Sequence, residues 1–408
     1  MNNAVDDVVI VGGGLAGTLT ALELSRRCAE ASITVLTASS LDVCASMMAQ
    51  GGMAVPRVDR VDDAEVHVAD TIAAGNGHCD VDVVRSIIGD APRLVHVLET
   101  RGVRFDRDVH GAPSYACEGG HQCARVLRAS DATGAHVMQT LHAELRRQRN
   151  VRIREHCRCM SVRVRPNHVL LSCMNVHDGD HIMLTARSVV LAMGGSGQLY
   201  AHTSNPPTAM GDALRIAEEL GLPLRDLEWM QFHPTAFATS TCAGTAPLIT
   251  EAIRGAGAWL RNTASERFMP RYDARAELAT RDVVVAAMRQ EMQREEVDRV
   301  WLDCRHLDRQ HLVTHFPTFI ENCRALDIDP SVDLVPVRPV AHYQCGGIAA
   351  TIDGSTSIER ISAIGECART GMHGSNRLAS NSLLEAGVMA MRCAERLAAV
   401  IAHPTMIA

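Results

Sequence analysis

The chain has 408 residues, of which 47% are hydrophobic and 21% charged, and its formal net charge is −7. This composition is typical of a soluble globular protein and excludes an intrinsically disordered chain. The acidic balance disfavours a nucleic-acid partner, which would require a basic face. No apolar segment reaches the roughly 18 residues of a membrane span. The 14 cysteines are scattered without Cys-x-x-Cys spacing, which predicts free thiols, no metal site and a cytoplasmic location.

The first 37 residues predict the βαβ unit of a dinucleotide-binding fold. A β-branched run at 8–11 is followed by a glycine-rich turn, an amphipathic helix as far as about Cys28 and a second strand at 33–36. In the G-x-G-x-x-G spacing of the turn, the first glycine permits a tight turn and the second lets the backbone approach a pyrophosphate. The third allows the helix to pack closely on the strand. We therefore predict dinucleotide contacts at Gly12, Gly13, Gly14, Ala16 and Gly17.

The residues after the second strand argue against an NAD-dependent dehydrogenase. Such an enzyme usually carries an acidic side chain about 20 residues after the glycine turn, where it holds the ribose hydroxyls. This chain has Thr37, Ala38, Ser39 and Ser40 there. The ribose contact is therefore left to hydroxyl groups or to the backbone.

Further along the chain, pieces of the dinucleotide fold flank a central insert. Strand-to-glycine turns recur at 188–195 and 361–366. Between them, the segment from about 227 to 341 has helical patterns of its own and is interpreted as an insert. Helical periodicity predicts helices at about 63–74, 81–101, 133–148, 248–260, 280–296 and 381–402. We expect a first part of the dinucleotide domain at 1–226, the insert at 227–341 and a return segment at 342–408.

A series of motifs in fixed order then identifies a family. The motifs are AQGGMA at 49–54, DTIAAG at 70–75, EGGH at 118–121, DATG at 131–134, TSNP at 203–206, QFHPT at 231–235, TEAIRG at 250–255, RDVV at 281–284, HYQCGG at 342–347 and HGSNRLASNSLLE at 373–385. They resemble the flavoprotein family of succinate dehydrogenase, fumarate reductase and L-aspartate oxidase. The resemblance implies an α/β fold in which a Rossmann-like FAD-binding domain is interrupted by an α+β capping domain. It also implies that the C-terminal helical domain of the family is absent.

Two features resemble the L-aspartate oxidase branch of this family. The respiratory members carry a histidine just before the position of Gln50 that bonds to the flavin, whereas 44–50 contains none, so FAD should be bound non-covalently. Glu118 resembles the glutamate that faces the α-ammonium group of the substrate. A dicarboxylate without an amino group would leave such a carboxylate buried and unpaired, at a cost of several kcal/mol.

The resemblance implies oxidation of L-aspartate to iminoaspartate, with oxygen or fumarate as the electron acceptor. It places this reaction first in NAD biosynthesis from aspartate, with quinolinate synthase as a possible partner. Two alternatives stay open at this point: a fumarate reductase or succinate dehydrogenase type of flavoprotein, and an inactive FAD-binding homologue.

The same motifs supply the candidate site residues. The expected catalytic residues are Arg281, His233, Thr250, Glu251 and His342. The expected substrate contacts are Glu118, His121, Gln231, Arg254, Arg377 and Ser380. Further FAD contacts are expected at Thr37, Ser46, Ala49, Gln50, Gly51, Gly52, Asp212, Glu366, Asn381, Ser382 and Leu383.

Elementary chemistry qualifies two of these roles. The family implies proton transfer by Arg281, but a guanidinium group with a pKa above about 12 is a poor base. Arg281 could instead act electrostatically on a carboxylate or on developing charge. Glu251 and Arg254 are i,i+3 neighbours on a predicted helix and could pair, either in the site or as a surface salt bridge. Ser380 to Glu385 resemble the start of a helix whose positive end could face the flavin.

Overall fold

The computed structural model describes residues 5–57, 59–238 and 244–403. In these ranges the α-helices are α1 Leu15–Arg27, α2 Asp63–Ala74, α3 Val81–Gly89, α4 Ala91–Thr100, α5 Thr133–Leu145, α6 Asp212–Glu219, α7 Glu251–Gly255, α8 Arg281–Arg294, α9 Arg309–His315, α10 Pro317–Ala325 and α11 Asn381–Ala402. The strands are β1 Asp6–Val11, β2 Ile33–Leu36, β3 Met53–Ala54, β4 Tyr115–Ala116, β5 Val126–Leu127, β6 Val151–Arg154, β7 Cys157–Val164, β8 Val169–Asn175, β9 His181–Leu191, β10 Leu224–Arg225, β11 Met230–Phe237, β12 Trp259–Arg261, β13 Val300–Asp303, β14 Val335–Gln344, β15 Gly347–Ala349, β16 Ile361–Ala363 and β17 Ala368–Arg369.

The main sheet has the strand order β6-β2-β1-β9-β8-β7, with β16 also paired to β9. β1 runs parallel to β2 and to β9, while β7 and β8 form an antiparallel extension. The β-branched residues of β1 are buried on both faces, as a central parallel strand requires. The helices α1 and α11 pack against each other beside this sheet. The predicted βαβ unit and its glycine turn are confirmed.

The segment between β11 and β14 forms a second layer. Its antiparallel sheet has the order β11-β14-β13-β12, and α8 packs on β11, β13 and β14. A separate hydrophobic core of this segment extends from Phe237 to Val337. An α/β dinucleotide fold interrupted by an α+β unit is therefore confirmed, whereas the boundaries at 226/227 and 341/342 stay predictions. No helix within the described ranges is long and apolar enough to cross a membrane.

Two predicted helices differ from the structure. The periodicity at 81–101 is divided between α3 and α4 because the chain turns at Asp90. Pro92 in the first turn of α4 has no amide hydrogen that could donate to a carbonyl group of α3. The helix expected at 248–260 is wrong over most of that range, because α7 spans only Glu251–Gly255. Helix α7 ends at Gly255, Gly257 has φ of +108°, and the chain continues as strand β12. The last predicted helix, 381–402, matches α11 at both ends.

Candidate active site

A cavity lies between the glycine turn, the main sheet and the capping sheet. Most of the predicted site residues line it: Gly12, Gly13, Gly14, Ala16, Thr37, Ser46, Ala49, Gln50, Gly51, Gly52, Glu118, Asp212, His233, Thr250, Glu251, Arg281, His342, Glu366, Arg377, Ser380, Ser382 and Leu383. The other predicted residues lie behind its wall: Gly17, His121, Gln231, Arg254 and Asn381. The tertiary fold thus brings together motifs from both ends of the chain and from the insert.

The glycine turn forms a narrow cradle at one end of the cavity. Gly12 has φ of +123°, and a Cβ atom on it would overlap the carbonyl oxygen of Ala192. A Cβ on Gly17 would overlap the carbonyl of Gly12, so this glycine permits close packing rather than ligand contact. The N-cap residue of α1, Gly14, supplies no side-chain cap, and the first turn has no acidic residue. The amide of Leu15 donates to Ser46 Oγ at 3.0 Å. Such a positive helix end fits the pyrophosphate of the expected FAD.

Two predicted acidic residues lie further along the cavity. Asp212 accepts two hydrogen bonds of 2.9 Å from the guanidinium of Arg158, a residue that also lines the cavity but belongs to no motif. Glu366 accepts a backbone hydrogen bond of 3.0 Å from Gln344. Burial raises the pKa of Glu366 to about 7. This carboxyl group can therefore be protonated near neutral pH and donate to a ligand hydroxyl or oxygen.

Arg281, Glu251 and Arg254 form a buried row of charged side chains within the capping segment. Arg281 Nε donates to Glu251 Oε2 at 2.8 Å, and Arg254 Nη2 lies 3.6 Å from the same oxygen. All three side chains are buried, so the alternative of a surface salt bridge between Glu251 and Arg254 is wrong. Burial opposes ionisation of Glu251, but Arg281 and Arg254 together lower its pKa. The carboxylate is therefore ionised and fixes both guanidinium groups.

Gln231 lies behind the cavity wall and connects the side chain of Arg281 to the backbone of Arg377. Its Oε1 accepts from Arg281 Nη1 at 3.0 Å, and its Nε2 donates to the backbone carbonyl of Arg377 at 2.7 Å. Since Arg281 uses Nε for Glu251 and Nη1 for Gln231, its remaining Nη2 has no hydrogen-bond partner among the described residues. Arg281 itself lines the cavity, so this donor is available to a bound anion.

The two cavity histidines are neutral and have different tautomers. Burial, and then the charge of Arg281, lower the pKa of both His233 and His342 well below the usual value. The amide of Thr235 donates to His233 Nδ1 at 3.2 Å, which leaves Nε2–H as the donor of His233. At His342 the Arg377 guanidinium donates to Nε2 at 3.2 Å, so the proton lies on Nδ1, 2.9 Å from Ser204 Oγ. His342 thus supports Arg377 in this state, while His233 can donate to a ligand.

Glu118 lines the same cavity. Its Oε2 accepts a hydrogen bond of 2.7 Å from Ser380 Oγ, while its Oε1 has no partner among the described residues. Burial, and then the charge of Glu251, raise the pKa of Glu118. A buried carboxylate oxygen without a donor is expensive. The site therefore favours a ligand that brings a hydrogen-bond donor or a positive charge to this oxygen.

The remaining predicted residues have internal partners. His121 donates from Nε2 to the carbonyl of Ala379 at 3.0 Å and accepts from Arg125 at Nδ1. Asn381 contacts His67 at 2.8 Å. Arg125, which the sequence analysis missed, is fully buried and bonded to Asp63 and Asp70 of α2. Arg125 stands four residues after His121, and this proximity to a motif was the only sequence signal for it.

The glycine cradle, the capped cavity and its buried arginines and histidines define a flavin-dependent oxidoreductase of the Rossmann type. The family described as FAD binding domain matches residues 7–383. The chain is 42% identical over 394 residues to the L-aspartate oxidase of Neisseria meningitidis, covering 96% of this chain and 78% of that protein. The L-aspartate oxidase of Streptomyces coelicolor is 40% identical over 402 residues, covering 96% and 68%. The chain belongs to the L-aspartate oxidase family.

The solved structures agree with this assignment. A structure of E. coli quinol fumarate reductase superimposes with a TM-score of 0.92 at 31% identity, covering 99% of this chain and 72% of that one. An open conformation of a flavocytochrome c3 fumarate reductase has a TM-score of 0.74 at 23% identity and shows the same fold. The chain is thus an FAD flavoprotein oxidoreductase of the succinate dehydrogenase and fumarate reductase superfamily.

Proposed function

We propose that this protein oxidises L-aspartate to iminoaspartate with non-covalently bound FAD. The observation that carries the proposal is Glu118, whose Oε1 is buried in the cavity without a hydrogen-bond donor. An α-ammonium group supplies that donor, and the carboxylates of the same substrate suit the cationic side of the site. Succinate and fumarate have no group for Glu118. Non-covalent binding is supported by the absence of histidine from 44–50.

The carboxylates of the substrate are assigned to the cationic and donor groups of the cavity. Arg377 is buried, and no carboxylate of the described residues lies within salt-bridge distance of it. Burial, and then the charge of Arg281, lower its pKa to about 10, so it remains a cation at neutral pH. A buried cation without a counter-ion favours a bound carboxylate. His233 Nε2–H and Arg281 Nη2 supply further donors.

Oxidation at Cα requires removal of protons as well as a hydride. When bound, FAD supplies the flavin ring that accepts the hydride. The substrate nitrogen must lose a proton before its lone pair can form the C=N bond. The Glu118 carboxylate, which holds that nitrogen and whose pKa is raised by burial, is the group placed to accept this proton. The contacts of Glu251 with Arg281 and Arg254 form a row of fixed charges that extends from the cavity into the protein interior. In this arrangement Glu251 holds the Arg281 guanidinium by a hydrogen bond of 2.8 Å, which favours an electrostatic role for Arg281 over that of a base.

The reduced flavin must be reoxidised by an electron acceptor before the next turnover. Transfer of the two electrons to oxygen gives hydrogen peroxide, and transfer to fumarate gives succinate. By analogy with the family, the iminoaspartate enters NAD biosynthesis, which makes quinolinate synthase the expected partner. The fumarate reductase type remains the alternative function, supported by the close superposition on E. coli quinol fumarate reductase.

Anaerobic mixing tests the proposal directly. The purified yellow protein is mixed with L-aspartate without oxygen, and flavin absorbance is followed. Bleaching by L-aspartate, followed by recovery and peroxide release when oxygen is admitted, is the expected result. Succinate is the matched control because it has the same two carboxylates without the amino group. Bleaching by succinate but not by L-aspartate would overturn the proposal in favour of the alternative.

A further inference from the structure

Arg377 is held in place without an ionic partner among the residues that the structure describes. Its Nη1 donates to the carbonyl of Leu378 at 3.1 Å, and its Nη2 donates to His342 Nε2 at 3.2 Å. Both acceptors are neutral. The third contact is the ring of Tyr343, whose centroid lies 4.7 Å from the guanidinium carbon. A cation over an aromatic face is attracted by the ring quadrupole, and more strongly where water is excluded.

Tyr343 is itself fixed by a buried polar cluster that no step of the proposed reaction uses. Its hydroxyl lies 3.2 Å from His373 Nε2 and 3.4 Å from Glu385 Oε2. His373 Nε2 is 2.7 Å from the same carboxylate oxygen. Thr370 Oγ1 donates to the other oxygen of Glu385 at 2.5 Å. All four side chains are buried, so both oxygens of Glu385 are satisfied by internal donors.

The carboxylate of Glu385 lies behind the ring, in contact with His373. Burial opposes ionisation of Glu385, but His373, Thr370 and Tyr343 together lower its pKa. Burial, and then the charge of Glu385, raise the pKa of Tyr343 well above its usual value. The phenol therefore keeps its proton and donates toward the carboxylate. Such a hydrogen bond increases the electron density of the ring and strengthens its attraction for the cation on its face.

The residues of this cluster come from β14, from the loop before α11 and from α11 itself. Tyr343 lies near the end of β14, next to His342. Arg377 and His373 lie in the loop before α11, and Glu385 lies in the first turns of α11. A shift of the ring would therefore remove the aromatic contact of Arg377.

We infer that Tyr343, fixed by Thr370, His373 and Glu385, is the positioning residue that holds the Arg377 guanidinium ready for a substrate carboxylate. The inference rests on the proposed function, which assigns a carboxylate to Arg377. It adds that the orientation of the clamp depends on the aromatic face and on the buried charge behind it. None of the four side chains needs to take part in hydride or proton transfer.

Dicarboxylate binding to the FAD-loaded protein tests the inference. Malonate is the probe, because it has two carboxylates, no amino group and no bond that the flavin can oxidise. Its Kd is measured from the change in flavin absorbance, and kcat and KM for L-aspartate are measured alongside. Tyr343→Leu should raise the malonate Kd and the KM at least tenfold, with kcat changed less than threefold. Tyr343→Phe keeps the ring and should restore most of the affinity.

Two further variants separate positioning from stability. Glu385→Gln keeps the shape of the cluster and removes its charge, so the malonate Kd should rise at least threefold. Phe237→Leu removes a buried aromatic ring that stacks on Phe319 in the capping core, away from Arg377. It should lower the melting temperature without changing the malonate Kd. If Tyr343→Leu does not fold, Glu385→Gln decides the question.

The outcomes are distinguishable. Malonate affinity within twofold of wild type in both Tyr343→Leu and Glu385→Gln would overturn the inference while leaving the proposed function intact. A fall in melting temperature without a change in Kd would do the same, since a structural role predicts that pattern. Wild-type protein that neither binds malonate nor is bleached by L-aspartate would overturn the proposed function, and this inference with it.

Discussion

Replacing Glu118 by glutamine removes one charge from the candidate site and changes little else. The amide is isosteric with the carboxyl group and can keep the contact with Ser380 Oγ, which is 2.7 Å long in the native site. It cannot neutralise an α-ammonium group. Leaving a buried charge without its partner costs about 3 kcal/mol, which corresponds to about a hundredfold loss in kcat/KM for L-aspartate. Fumarate has no ammonium group, so its reduction should be unaffected or faster.

The assay compares two reactions of the same variant. Oxidation of L-aspartate is followed by peroxide release, and fumarate reduction by oxidation of the reduced flavin, with FAD content and melting temperature as controls. The wild-type KM for L-aspartate should also rise as the pH falls through the raised pKa of Glu118, because the protonated carboxyl group no longer attracts the ammonium. This rise should be absent in Glu118→Gln. Equal losses in both reactions would refute the assignment of Glu118 to the amino group.

Three other predictions use different groups of the cavity. Arg377→Leu should mainly raise KM, since it removes a contact made in both ground and transition states, whereas Arg281→Leu should mainly depress kcat; a change in KM alone at both positions would make Arg281 one more carboxylate clamp. Acid precipitation of the purified protein should release its yellow chromophore into the supernatant, and colour kept in the pellet would contradict non-covalent FAD. The pKa of Glu366 is about 7 in the folded protein and 4.5 in the unfolded chain. The contribution of this carboxyl group to the free energy of unfolding is therefore fully present below pH 4.5, and it is lost as the pH rises through 7. In denaturant unfolding without FAD, Glu366→Gln should therefore be more stable than wild type by about 3 kcal/mol at pH 8, whereas at pH 4 it should not be more stable. Equal stability of the two proteins at pH 8 would show that burial does not destabilise the ionised carboxyl group.

The parts of the fold that depend on local sequence were predictable. The glycine turn, β1 and α1 follow from side-chain size and periodicity within some 20 residues. Helix α11 was predicted with both of its ends, since its apolar periodicity is long and uninterrupted. The break at Asp90 was missed because periodicity continues across it, although Pro92 was a visible signal. The end of α7 was missed because strand β12 is fixed by its partner β13, some 40 residues later.

The sequence by itself supplied most of the candidate side chains, because the motifs fix residue types and their spacing, although Arg158 lines the cavity and belongs to no motif. Only the tertiary structure decided which of them reach the cavity. Ser380 meets Glu118 across 262 positions, and Gln231 meets Arg281 across 50. His121 and Gln231 stand in motifs like their neighbours, but each finds its hydrogen-bond partners behind the cavity wall. The physical reason is that a buried polar side chain points to wherever its donors and acceptors can be satisfied. Those partners depend on how segments that are distant in sequence pack together, and the neighbouring residues in the sequence do not specify them.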